Sequence, residues 1–131
     1  MRILLSFLLV LILAIPVLAT DGMISLPSQH SVSSTGDRLV NLLESKGMTV
    51  FSRIDHAAGA QQVGIDLRPT TLVIFGNPKV GSPLMKCSQA AAIDLPQKAL
   101  ISKDDKGQVW LSYNDPGYLK TRHQIEGCDK I

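Results

Sequence analysis

The sequence predicts an α+β domain: a two-layer mixed sheet with helices on one side, in the order β-α-β-α-β-α-β-β-α. Three observations carry this. Apolar residues switch between helical and strand spacing along the chain. The run "TLVIFG", residues 71–76, is apolar from Leu72 to Phe75 and reads as a strand inside a sheet. "QKALIS" and "QVWLSY" flank the turn-rich "KDDKG" and read as a hairpin. Alternating helices and strands that end in a hairpin suggest a mixed sheet.

Residues 1–19 stand outside that domain. Arg2 gives a positive start, and Ile3 to Ile15 is apolar except for Ser6. Pro16 breaks the run, and Val17 and Ala19 have cleavage-site spacing. This pattern predicts a secretory signal peptide cut after Ala19. The run is short for a membrane span, which needs about 20 apolar residues. Residues 20–131 are then a single domain, periplasmic or secreted, with no stable membrane anchor after cleavage.

Each element has a local reason. "GMISL", residues 22–26, is a short strand. Ser34 reads as the N-cap of the next helix, with Asp37 placed like the acid of a capping box. Val32, Gly36, Leu39, Val40 and Leu43 share a helical face that Leu42 widens, and Gly47 ends the helix. "MTVFSRID" alternates as a strand, with Val50 and Ile54 on one side and Phe51 and Arg53 on the other. "HAAGAQQVG" is a short Ala-rich helix ending at Gly64, and "IDLRPT" is a loop. In "TLVIFG" all four apolar residues are expected to be buried, under a second layer or a partner subunit. "NPKVGSP" reads as a loop. Ser82–Pro83 then starts a helix through "LMKCSQAA", and "IDLP" turns the chain. After the hairpin, Asp115–Pro116 opens a last helix, "GYLKTRH".

Composition excludes some partners. The chain has 13 basic and 11 acidic residues, and removal of Arg2 leaves it nearly neutral. No basic run is present, so no nucleic-acid partner is expected. A near-neutral surface also gives no electrostatic preference for anionic lipid. No closely spaced Cys/His cluster suggests a metal site, and Gly-x-Ser-x-Gly and Cys-x-x-Cys are absent.

The candidate chemistry centres on "FSRIDHAAGA". Asp55 and His56 lie where a strand runs into a helix. Neighbouring side chains on a strand face opposite ways, so Asp55 is poorly placed to orient His56. Asp55 reads more simply as a helix N-cap. His56 in the first turn would tend to stay neutral beside the helix dipole. In "FGNPKVGSP", Asn77 and Lys79 follow the end of a sheet strand, a common ligand position in α/β sheets. Were "MTVFSRID" and "TLVIFG" parallel neighbours, Asp55, His56 and Asn77 would meet at one edge. Lys98 enters an apolar strand, where it either faces the candidate pocket with Asp55, His56, Asn77 and Lys79 or reaches solvent, the favoured reading. Trp110 reads as a packing residue.

"FSRIDHAAGAQQVGIDLRPTTLVIFGNPKVGSPLMKCSQAAAIDLPQKALI" followed by "GQVWLSYNDPGYLKTRH" resembles the domain of unknown function 302 family, over about residues 33–128. "IDHAAGA", "FGNP" and "DLPQKAL" in this order carry the likeness. The resemblance implies a compact α+β domain of bacteria and archaea, with no assigned reaction and no known cofactor.

The leading expectation is therefore an exported small-ligand-binding or accessory domain that pairs as a homodimer. Two alternatives stand beside it. One is a small-molecule enzyme using His56 as general base. The other is a thiol-redox protein using Cys87 and Cys128. Export and pairing favour a structural disulfide between these cysteines; two separate thiols are the other reading.

Overall fold

The computed structural model describes residues 22–128. The signal-peptide expectation for residues 1–19 lies outside them. The elements are β1 (Met23–Ser28), α1 (Val32–Ser45), β2 (Thr49–Asp55), α2 (His56–Gln62), β3 (Thr70–Gly76) and α3 (Pro78–Cys87), then a 3-10 turn (Gln89–Ile93), β4 (Gln97–Lys103), β5 (Val109–Asn114) and α4 (Pro116–Arg122). The α+β class and the element order agree with the sequence reading, with the 3-10 turn added.

The five strands lie in the order β1-β5-β4-β3-β2. Every neighbouring pair is antiparallel, so the sheet is not mixed. The junction β2-α2-β3 departs from the expected parallel pairing: Thr49 pairs with Gly76 and Asp55 with Thr71, so the chain turns at the end of β2 and comes back antiparallel through α2 and residues 63–69.

Helix α1 starts earlier than expected. Its N-cap is Ser31, whose Oγ accepts from the Ser34 amide at 3.1 Å. Capping at Ser31 brings Val32 inside the helix, where it is buried. Asp37 is thereby freed from capping and pairs with Arg53 at 2.5 Å. At the other end Gly47 has φ +73°, Met48 N–H donates to Leu43 O and Gly47 N–H to Glu44 O. These bonds form a Schellman cap. Leu42 is 55% exposed and does not widen the apolar face.

The core lies between α1 and one face of the sheet. Val73 and Ile101 are fully buried beside Val32 and Val109, with Leu39, Val40 and Leu43 packed against them. Residues 72–75 are not all buried: only Val73 is, and Leu72, Ile74 and Phe75 are half-buried. Leu72 and Ile74 alternate with Val73, so they take the face away from α1, which is covered only in part. On that face the Ser25 and Ser112 hydroxyls meet at 2.7 Å.

Strand β2 does not alternate throughout. Val50 pairs with Phe75 but Ser52 pairs with Ile74, so Phe51 is the extra residue of a bulge. Val50 and Arg53 consequently share the α1 side, and Arg53 also donates to Ser33 O.

Candidate functional site

The sites expected from sequence fall at opposite ends of the sheet. Asp55 closes β2 and is the N-cap of α2, its Oδ1 accepting from the Ala58 amide at 3.0 Å. It borders a 520 Å³ hollow with Arg53, Thr71 and Leu67. His56 is exposed in the first turn of α2. Asn77 follows the far end of β3, because Gly76 pairs with Thr49 while Thr71 pairs with Asp55. The expected meeting of Asp55 and His56 with Asn77 does not occur. It required parallel strands, and these are antiparallel.

The "NPKVGSP" segment is helical rather than a loop. Asn77 caps α3, Oδ1 accepting from the Lys79 amide at 3.0 Å, and Pro78 occupies the first turn. Asn77–Pro78 thus takes the role expected of Ser82–Pro83, and Pro83 sits inside the helix. Lys79 is exposed on the first turn. Lys98 is half-buried rather than solvated: its Nζ donates to Pro96 O at 3.1 Å and to Asp94 O at 3.5 Å.

At the Asn77 end, α3, the 3-10 turn and α4 surround a groove of 810 Å³. Val80, Leu84 and Met85 of α3 form one wall, and Leu119 and Ile125 another. Phe51 and Gly76 supply the sheet end. A Cβ on Gly76 would stand at ordinary contact distance from Phe51, 3.4 Å, and Pro96, 3.5 Å, so these residues close around the strand end. Asn77 and Gln97 give polar points on a largely apolar lining. Such a surface can desolvate an apolar group and orient it by one or two hydrogen bonds. The Phe51 bulge contributes to it, a feature without a glycine or proline to mark it in sequence.

Two cross-links brace this end. Cys87, the last residue of α3, is bonded to Cys128, with Cα atoms 6.6 Å apart, and Cys128 also lines the groove. Asp94 Oδ2 lies 2.5 Å from His123 Nε2, and Arg122 approaches the other carboxylate oxygen at 3.4 Å. Ser88 Oγ donates to His123 O at 3.1 Å. Sequence reading missed the Asp94–His123 pair. The residues are 29 positions apart, and no motif links them.

At the hairpin end, Asp104 organises the β4–β5 turn. Its Oδ2 accepts from the Trp110 indole N–H at 2.9 Å, and its Oδ1 from the Gln108 and Lys106 amides. The indole hydrogen bond, more than the backbone bonds or the Lys106 charge, holds this carboxyl below the ordinary aspartate range. Among the described residues, no group of three or more His, Cys, Asp or Glu could hold a metal ion. No helix among them is long and apolar enough to cross a membrane.

The family described as "Domain of unknown function DUF302" matches residues 24–131. A crystal structure of an uncharacterised conserved DUF302 protein from Bacillus stearothermophilus superposes with a TM-score of 0.75 at 16% identity, covering 85% of this chain and 87% of that one. That likeness shows the fold. Fluoride-specific ion channel FluC 1 of Brucella suis biovar 1 is 45% identical over 105 residues, 80% of this chain and 41% of that protein. The protein of the same name from Brucella abortus biovar 1 is also 45% identical, over 39% of its length. The chain thus spans about two fifths of these curated relatives.

Proposed function

The chain belongs to the DUF302 family, and on that premise we propose that it is an exported accessory domain, without a reaction of its own, whose groove between α3 and α4 takes up a small apolar ligand. The groove is the observation that carries this reading. Its 810 Å³ falls within the roughly 300–1,000 Å³ of small-molecule sites. Its walls are apolar, and Asn77 and Gln97 offer a few hydrogen-bonding points, which is the usual make-up of such sites.

Export is supported by the leader pattern of residues 1–19 and by the Cys87–Cys128 bond, since disulfides persist mainly outside the cytosol. The Brucella relatives carry the name of a fluoride-specific channel, and this chain corresponds to only part of them. The reading takes from that name a place of work beside a membrane, and leaves fluoride conduction to those whole proteins.

Titration with an environment-sensitive apolar dye tests the groove. Gly81 lines the groove and a Cβ there meets nothing within 4 Å, so the backbone admits a side chain and Gly81→Trp adds bulk at the groove wall. Saturable binding to the wild type and its loss in Gly81→Trp are expected. Equal binding by both proteins would contradict the reading.

A further inference from the structure

Gly36 lies inside α1, where glycine is less favourable than alanine. Its neighbour gives the reason. A Cβ on Gly36 would stand 2.6 Å from Arg53 Nη2 and 2.9 Å from its Cζ, so the glycine makes room for the guanidinium. Arg53 is held in that seat by Asp37 Oδ1 at 2.5 Å and Ser33 O at 3.1 Å. These bonds use two N–H donors and leave others of the fork available.

The seated arginine borders the 520 Å³ hollow at the far end of the sheet from the groove. Asp55 stands two residues further along β2 on the same face, about 7 Å away by strand spacing. The two side chains form no ion pair with each other; Arg53 pairs with Asp37, and Asp55 Oδ1 accepts from the Ala58 amide. Thr71, the cross-strand partner of Asp55, is only 6% exposed. Its hydroxyl bonds to no described residue. Among the described residues, however, no fully buried side-chain polar atom lacks a partner. The hydroxyl therefore opens onto the space that Thr71 lines, which is the hollow. Leu67 and Pro69 give this space an apolar side, and Leu67 is 43% exposed.

We propose that the hollow binds an α-amino acid with an apolar side chain. The carboxylate lies on Arg53, the ammonium on Asp55 and the Thr71 hydroxyl, and the side chain against Leu67 and Pro69. Unlike charges at alternate positions of one strand match the unlike charges of the ligand's head. A plain carboxylate would meet the negative charge of Asp55, and a plain amine the positive charge of Arg53. The N-terminal end of α1, which adds Ser33 to the lining, carries positive potential on the carboxylate side. Both contacts to the head group are charge-assisted hydrogen bonds, the stronger kind. This site stands apart from the groove and does not rest on it.

The test is a nuclear magnetic resonance titration of 15N-labelled protein, produced from the full-length sequence, with L-leucine. Saturable shifts of the Ser33, Arg53, Asp55 and Thr71 amides are expected. The analogues 4-methylpentanoate and 3-methylbutylamine each lack one charged group and should bind at least about tenfold more weakly. Asp55→Asn keeps the cap and removes the charge. It should weaken leucine about tenfold and leave 4-methylpentanoate no weaker than before. Gly36→Ala displaces the guanidinium while favouring the helix. It should lose leucine binding in a protein whose near-ultraviolet circular dichroism is unchanged, a result that a purely structural Arg53 would not give. Should Gly36→Ala not fold, Asp55→Asn with the two analogues carries the test. No saturable shift with leucine, shifts confined to the groove residues, or equal binding of leucine and both analogues would overturn the proposal. Leucine binding unchanged in the folded Asp55→Asn protein would overturn it as well.

Discussion

Asp94 and His123 stand 2.5 Å apart, Oδ2 to Nε2, with the histidine side chain only 7% exposed. This contact fastens the turn before β4 to the end of α4, one wall of the groove. A bond between such poorly solvated groups leaves an unsatisfied partner when one is removed, a loss of about 1–3 kcal/mol. His123→Ala is expected to lower unfolding stability by that amount, measured by urea denaturation. A neutral result would mean that water replaces the histidine without penalty.

The core gives a second expectation. Ile101 is fully buried and Leu42 is 55% exposed, although both are large aliphatic residues. Ile101→Ala should cost about 2–5 kcal/mol, by lost burial and a residual cavity. Leu42→Ala should stay within about 0.5 kcal/mol. Phe75 is half-buried, so Phe75→Ala should fall short of the 3–5 kcal/mol typical of a buried aromatic.

The Asp104 turn gives the pH dependence. Its carboxyl is held below the ordinary value, chiefly by the Trp110 indole N–H. A depressed folded-state pKa contributes stability that is present above the unfolded value and is lost as pH falls through the folded value. Since unfolded aspartate titrates near about 3.9, the loss begins around that pH and continues below it. The stability gap between wild type and Asp104→Asn should therefore shrink as pH falls from about 5 toward 2. Thermal melts followed by Trp110 fluorescence would detect it. A gap constant with pH would remove Asp104 from acid sensitivity.

The disulfide closes a sequence separation of 41 residues. In the loop-entropy model a closure of this size contributes up to roughly 4 kcal/mol. Non-reducing peptide mapping of protein from the cell envelope should recover Cys87 joined to Cys128. Reduction should lower the denaturation midpoint. Free alkylation of both thiols without reductant would show that the bond does not form in the cell.

At the opposite end, Asp55 acts as a cap. Asp55→Asn should be nearly neutral, because asparagine caps comparably. His56→Gln should leave stability and ligand uptake unchanged, since that side chain is exposed far from the groove. Loss of uptake in a folded His56→Gln protein would move the site to this end.

Local signals were readable where one residue decides the geometry: Asp55 and Asp115 as caps, Gly47 and Gly64 as helix ends, and the β4–β5 hairpin with its turn. Competing signals were not. Asn77–Pro78 and Ser82–Pro83 are equally plausible helix starts, and only the packed structure selects the first. An apolar run such as residues 72–75 looks the same whether a sheet is covered on both faces or only in part. The groove was hidden for another reason. Its lining comes from β2, β3, α3, the turn before β4, α4 and the tail, which only strand direction brings together. Periodicity marks where a strand lies and not which way it runs in the sheet.

The central claim, that the groove is the working surface, is tested most directly by native mass spectrometry of protein from its own cell envelope, wild type beside Gly81→Trp. The account predicts a non-covalent small-molecule adduct on the wild type and a bare Gly81→Trp chain. Bare chains in both, or the same adduct retained in both, would contradict it.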